Sequence, residues 1–364
     1  MSNNGANKFY YIAEFSLPAK NAYSIHVLKM CDNIKGLNYK LNLIIPSCQL
    51  KFSKIKDDYN LKNRFKIISI FKGKNSINFI HRIIFALYAA IIVKKNSPNL
   101  VITRSLLSSF FLSLFRKKHY LEVHGNIYGL TNFLFLRLNY INSKYIIKII
   151  FITKNLAKHY KINKKKYIIL PDGFDAKDFK YQFKRINKIS KFIYTGSFAA
   201  GKGTDIIIKL AYLLPDKLFY LYGNQSHLKF KNVPKNVKIF SYVQYKYIPR
   251  ILSNADALLM PYKNKVFYNK LLSDNIGNFH SPLKMFEYLA SGKILISSNR
   301  RVLKEILKNK VNCLIVKKNN INAWLQCIKY AENNLKRINQ ITKYARKDVQ
   351  NYSWEKRVKN IINY

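Results

Sequence analysis

The sequence predicts an α/β protein of two Rossmann-like, doubly wound domains, each a parallel sheet flanked by helices. Two observations carry that expectation. Short β-rich apolar segments alternate with longer helical patterns from end to end, and one polar, turn-rich stretch near the middle interrupts them. A chain of 364 residues is also too long for one ordinary core and fits two domains of average size.

In the first half, strands are expected over 9–14, 41–46, 65–70, 100–103, 119–123, 149–153 and 167–170, with helices over 24–34, 77–93 and 106–115. In the second half, strands are expected over 192–196, 218–223, 237–242, 257–260, 294–297 and 313–316, with helices over 204–214, 247–253, 282–291 and 322–333. The stretch from Asp172 to Ser190 is polar and opens on the turn signal Pro171-Asp172-Gly173. The tail from Asn339 is polar and helical, with Trp354 as an isolated large anchor. Open α/β sheets bind ligands at the carboxyl ends of their strands, so candidate residues are sought there.

Composition narrows the function classes. Hydrophobic residues at 49% and aromatics at 15% exclude wholesale disorder. Cys31, Cys48, Cys313 and Cys327 form no C-x-x-C pair, so neither a zinc site nor a disulfide framework is expected, and a reducing compartment is. The first eight residues are polar and do not resemble a signal peptide. Charge is the unusual feature: 65 Lys and Arg against 17 Asp and Glu give +48. AT-rich codon usage accounts for Lys over Arg but poorly for so few acids. A phosphate-bearing substrate, a nucleic acid or an acidic membrane face is expected to meet this charge, a merely solvated positive surface being the plain alternative. The longest apolar run, 83–93, falls short of the roughly 20 residues that span a bilayer. It reads as a buried helix, or as an in-plane membrane contact whose flanks, His81, Arg82, Lys94 and Lys95, meet anionic headgroups.

Four stretches carry candidate chemistry. In Ser281-Pro282-Leu283-Lys284-Met285-Phe286-Glu287-Tyr288, Ser281 suits an N-cap and Pro282 the first helical position. The amides at that helix start, with Lys284 in its first turn, suit a diphosphate. Glu287 lies three residues on, on the same face, where its carboxylate can accept from two vicinal hydroxyls. A capped helix with a surface Lys–Glu pair is the plain alternative. The second stretch, Thr195-Gly196-Ser197-Phe198-Ala199-Ala200-Gly201-Lys202-Gly203-Thr204, places glycines and Lys202 between a strand and a helix. It nearly matches a P-loop, but Gly203 stands where a hydroxyl should ligate magnesium. Third, Glu122-Val123-His124-Gly125 ends a strand, where a lone His is either structural or functional. Fourth, Asn21-Ala22-Tyr23-Ser24-Ile25-His26 leads from a strand end into a helix.

Together with Pro171-Asp172-Gly173-Phe174-Asp175 and Ser241-Tyr242-Val243, these stretches resemble the group 1 glycosyltransferases, or glycosyltransferase family 4, of GT-B fold. The resemblance is clearest from Leu170 to Val316, and the Ser281-to-Tyr288 piece is similar to a bacterial surface-polysaccharide subgroup. It implies an acceptor domain over 1–175, a linker over 176–190, a donor domain over 191–345 and a closing helix over 346–364 that crosses back to the first domain, the two domains facing a cleft. It further implies that Glu287 binds the donor ribose, while Lys284, Lys202, Gly196, Ser197, Ser281, Pro282 and the amides near Leu283 form the diphosphate site. Tyr242 and Val243 would border the nucleobase, His124 would lie near the transferred sugar, and Asn21, Ser24 and His26 would face the acceptor. Two departures fall in the sugar pocket: Phe279 stands where many members carry an earlier glutamate, and Ser197 where an arginine is usual.

The resemblance implies a retaining transfer from a nucleotide-diphosphate sugar to a lipid-linked or saccharide acceptor in surface polysaccharide synthesis. No D-x-D motif is present, so neither a metal nor another cofactor is expected. The expected place is the cytoplasm, peripheral on the inner face of an anionic membrane. A nucleic-acid-binding protein, suggested by the charge and 27 tyrosines, lacks any helix-turn-helix, zinc or RNP signature. A non-catalytic relative that keeps the fold is the other alternative, motivated by Phe279 and Ser197.

Overall fold

The structure, a computed structural model, describes residues 7–73, 78–179, 184–224, 232–267, 275–318 and 320–364. The chain forms two compact units, one of Met1–Pro171 with Arg357–Tyr364, the other of Asp172–Lys356.

The first unit is built on β1 (Lys8–Ile12), β2 (Lys40–Ile45), β3 (Lys66–Ser69), β4 (Leu100–Thr103), β5 (His119–Val123), β6 (Ile146–Phe151) and β7 (Tyr167–Ile169). They pair in the order β3-β2-β1-β4-β5-β6-β7, all parallel. Phe9 to Ile12 and all of β5 are buried, the continuous apolar run of a strand covered on both faces. The chain order reverses between β1 and β4, which leaves a crevice at their carboxyl ends. Three helices run close to expectation at Ala22–Gly36, Phe79–Asn96 and Leu106–Leu114. The short helices Phe52–Asp58, Gly129–Asn132 and Lys154–Tyr160 were not anticipated, being too brief to display a helical period.

Helix Phe79–Asn96 carries the apolar run and packs one face of it into the first unit. Phe85, Ala86, Ala89, Ala90 and Val93 are buried, while Phe79, Ile80, Ile84 and Tyr88 are exposed. Among the described residues no helix is long and apolar enough to cross a membrane.

The second unit contains β8 (Lys191–Thr195), β9 (Leu218–Tyr222), β10 (Val237–Phe240), β11 (Ala257–Met260), β12 (Ile294–Ser298) and β13 (Leu314–Val316). Their order is β10-β9-β8-β11-β12-β13, again with a reversal next to the first strand, between β8 and β11. Helices Thr204–Leu213, Ile248–Ser253, Leu283–Ala290, Ile321–Asn333 and Leu335–Asp348 flank the sheet. Asp256, just ahead of β11, accepts from the amides of Ser190 and Lys191 and so ties that strand to the start of β8. Ile186 and Ile189 are core residues here, and Asn339 bonds the backbone of Ile186 through both its oxygen and its nitrogen. At Gly173 a Cβ would stand 2.6 Å from the carbonyl of Tyr352, so this close approach requires glycine. The anchor Trp354 is fully buried at the start of helix Trp354–Ile362, whose later residues Val358 and Ile361 are buried within the first unit.

Candidate active site

The second unit gathers its candidate residues at the carboxyl ends of β8 and β11. Past β8 the backbone turns through Gly196 at φ +131, a conformation open to glycine. Gly201 and Gly203 also take positive φ, and Gly203 caps helix Thr204–Leu213. This curl carries Lys202 over the ring of Tyr262, 4.8 Å from its centroid, just past the end of β11.

Helix Leu283–Ala290 brings in the second cation. Ser281, expected as its N-cap, instead accepts from the amide of Asp172 at 3.1 Å, and Pro282 becomes the N-cap. A proline has no side-chain acceptor, so no side chain covers the first amides of this helix. Tyr288 fixes the other side of the helix by accepting from the Thr195 amide at 2.7 Å. Lys284 thereby lies with Nζ 3.8 Å from the ring centroid of Tyr194 and 5.7 Å from that of Tyr262. Its ammonium presses on Gly196, where a Cβ would stand 2.5 Å away.

Two ammonium groups thus converge on the ring of Tyr262. Lys284 Nζ is shielded from solvent with no hydrogen-bond partner among the described residues. Burial pushes its pKa well below the usual lysine range and Lys202 adds to the push, with Glu287 opposing. Burial lowers Lys202 to about 8. His280 packs on Tyr262 at 5.0 Å, and burial, with the charge of Lys202 next, holds it neutral at about 3. The Ile276 carbonyl accepts from its Nδ1 at 2.9 Å, which leaves Nε2 as a bare, buried acceptor. Unpartnered buried polar atoms on this scale are costly, roughly 1–3 kcal/mol each, and they are what an anionic, hydroxylated ligand would satisfy.

Glu287 is buried on the same helix and accepts from the hydroxyl of Tyr245, whose own pKa is raised by burial first and by that carboxylate second. Tyr242 and Val243 lie half-buried in the loop between β10 and Tyr245. Ser197 contributes its backbone, its carbonyl accepting from Tyr194 at 2.7 Å.

In the first unit the structure brings together His26 and His124, with ring centroids 4.8 Å apart and edge to face. Both reach the carboxylate of Glu122 at the end of β5, at 3.0 and 3.2 Å. Tyr11 and Arg357 also donate to it. Burial alone would raise the pKa of Glu122, but His26, Arg357 and the bonds from both histidines hold it well below the carboxylate range. Burial, then the charge of Arg104, lowers His124 to about 3, against the opposing pull of Glu122. His124 is therefore a neutral imidazole at physiological pH. Asn21 and Ser24 serve the helix: Asn21 is the N-cap of Ala22–Gly36 and accepts from the Ser24 amide at 2.9 Å.

Several members of these clusters escaped the reading of the sequence. Tyr194, Tyr262 and Tyr245 were hidden among 27 tyrosines, with no spacing to mark them, and Tyr288 stood within the Ser281-to-Tyr288 motif without a role assigned to it. Glu122 stood in view two residues before His124, yet only the fold shows that its charge is met by four donors.

Residues 176–348 match the family model described as Glycosyl transferases group 1. Among solved structures, the chain is similar to a glycosyltransferase from Rickettsia africae ESF-5, with TM-score 0.74 and 17% identity, covering 98% of this chain and 97% of that one. It is similar to Anabaena HepE in complex with UDP and glucose, with TM-score 0.70 and 11% identity over 97% and 98% of the two chains. It is also similar to WaaG, a glycosyltransferase involved in lipopolysaccharide biosynthesis, with TM-score 0.63 and 12% identity over 97% and 98%. At these identities the likeness is one of fold. None of the curated protein sequences matches significantly.

Proposed function

We propose that this chain, whose residues 176–348 match the group 1 glycosyltransferase model and whose fold is similar to that of solved glycosyltransferases, moves a sugar from a nucleoside diphosphate with retention of configuration. The observation that carries the reading is the pair of ammoniums, Lys202 and Lys284, that meet at Tyr262, with Lys284 Nζ buried and without a hydrogen-bond partner among the described residues. They and the uncovered start of helix Leu283–Ala290 would hold the diphosphate, Glu287 the ribose, and Tyr242 and Val243 the edge of the base. That HepE is solved with UDP and glucose supports such a donor.

The chemistry breaks the bond between the anomeric carbon and the phosphate oxygen, so charge accumulates on the departing diphosphate. Preorganised donors at that charge are the main catalytic resource. Each charge-assisted bond is worth roughly 1.5–3 kcal/mol and the helix start about 0.3–1. Three or four such terms are of the order of the roughly 4–8 kcal/mol of a millimolar-to-micromolar donor. The acceptor hydroxyl forms the new bond at the same carbon, and its proton passes to the leaving phosphate oxygen. Two lysines supply the counter-charge, and we propose that no metal is needed. His124, neutral and held by Glu122, would donate to the sugar.

On the acceptor side, we propose a lipid-linked or other saccharide met at an anionic membrane face, in surface polysaccharide synthesis, as the lipopolysaccharide role of WaaG suggests. A thermal-shift panel of UDP-, GDP-, dTDP- and ADP-sugars, with magnesium and with EDTA, tests the donor reading. One nucleotide series should stabilise the protein equally in both conditions. Stabilisation by none, or only with magnesium, would overturn it.

A further inference from the structure

The first unit holds a second pocket with cationic side chains, of which the donor reading uses only His124 and the Glu122 that holds it. A cavity of about 410 Å³ opens at its switch point, lined by Glu14, Tyr23, Arg82, Arg104, Leu106, Glu122 and His124. Glu14 follows β1, Arg104 follows β4, and Glu122 and His124 end β5, so the position is the crevice that the reversal of strand order creates.

Its charges do not cancel. Glu122 is met by Tyr11, His26, His124 and Arg357. Glu14 accepts from Arg82 Nε at 2.7 Å and from the hydroxyl of Ser105. Counting Arg357, which bonds Glu122 from outside the lining, three guanidiniums meet two carboxylates, and among the described residues Arg104 is the one without a carboxylate bonded to it. Its Cζ lies over the ring of Tyr23, 3.9 Å from the centroid. Its Nη1 is buried with no hydrogen-bond partner among the described residues. A guanidinium presents a fork of donors that fits a carboxylate or phosphate in two parallel bonds. An orphaned donor of this kind, held over a tyrosine ring and lining a cavity beside a neutral histidine, is a prepared anion site.

We propose that this pocket binds an anionic group of the acceptor, a phosphate or carboxylate, with Arg104 as the principal ligand and the free side of Arg82 as the second. The proposal rests on the glycosyltransferase reading, in which the first unit serves the acceptor. It narrows that reading from any saccharide to a negatively charged one.

The test uses the full chain saturated with UDP, which occupies the lysine site, and calorimetric titration with inorganic phosphate, acetate and glucose. Phosphate or acetate should bind, and Arg104→Gln should weaken that binding by about tenfold or more while leaving UDP affinity unchanged. Arg104→Lys, which keeps the charge, should recover part of it and also serves if the glutamine variant folds poorly. Which anion binds more tightly separates the two sources. Failure of both anions to bind, an unchanged affinity in Arg104→Gln, or an equal loss for glucose would overturn the proposal. In parallel, Lys284→Ala should lose UDP and keep the anion. If instead it keeps UDP, the donor reading fails, and the Arg104 result still stands or falls by its own arm.

Discussion

At the scale of single residues, the site of the second unit holds an ammonium, that of Lys284, to which no described residue is hydrogen-bonded, the carboxylate of Glu287 acting on it only through space. Lys284 is held against Tyr194 and Gly196 and is starved of solvent, and Lys202 adds a like charge beside it. Two consequences follow from that arrangement. Lys284→Ala should lower transfer by about 100-fold or more, the scale of removing one preorganised donor. Yet the ligand-free Lys284→Met variant should melt at a higher temperature than the parent, since an unpaired buried charge is removed and its stem volume kept. Calorimetric melts with and without UDP check this, and a lower ligand-free melting temperature would count against it. Lys202, lowered to about 8, sets the pH dependence. Its charged form binds the diphosphate, and binding raises its pKa. Affinity for UDP should therefore be full below about pH 8 and fall towards tenfold per pH unit above it. In Lys202→Arg the decline should shift to higher pH, because an arginine stays charged.

Elements decide where those residues point. The turn after β8 carries Lys284 against bare backbone only because position 196 has no side chain. Gly196→Ala sets a methyl 2.5 Å from the ammonium at φ +131, so it should weaken UDP binding by about tenfold or more, read by titration beside a circular dichroism control of the fold. Helix Ala22–Gly36 makes a contrasting case. Asn21 drew notice as an acceptor-side residue, and in the structure it is that helix's cap. Asn21→Ala should cost about 1 kcal/mol of stability in a denaturant melt, and Asn21→Asp nearly nothing. Ser281 shows the same competition in reverse. Its type and place suited a cap, but the Asp172 amide takes its hydroxyl and the helix starts on Pro282.

For the whole molecule the governing quantity is charge. A formal +48 attracts anionic partners over distances set by ionic strength, about 8 Å at physiological salt. Helix Phe79–Asn96 adds an exposed apolar face of Phe79, Ile80, Ile84 and Tyr88, followed by Lys94 and Lys95. Flotation with vesicles should recover the protein on anionic but not neutral lipid, with binding that weakens in salt. Ile80→Glu with Ile84→Glu should reduce it further. Equal, negligible recovery on both lipids would remove the membrane from the proposal.

By itself the sequence determined the number and kind of strands, the two glycine-bearing turns, and the motif from Ser281 to Tyr288. These are local signals, written as periodicity, turn residues and caps, and the fold keeps them almost where they were read. What only the tertiary structure decided is which polar groups are answered and which are not. Glu122 is met by donors as far as 235 positions away in the chain, whereas Arg104 and Lys284 keep nitrogens without a hydrogen-bond partner among the described residues. Pairing of that kind is a property of distance and burial after the sheets have closed their strand order. Composition counts charges but cannot say which of them meet, and the unmatched ones are those that a substrate would complete.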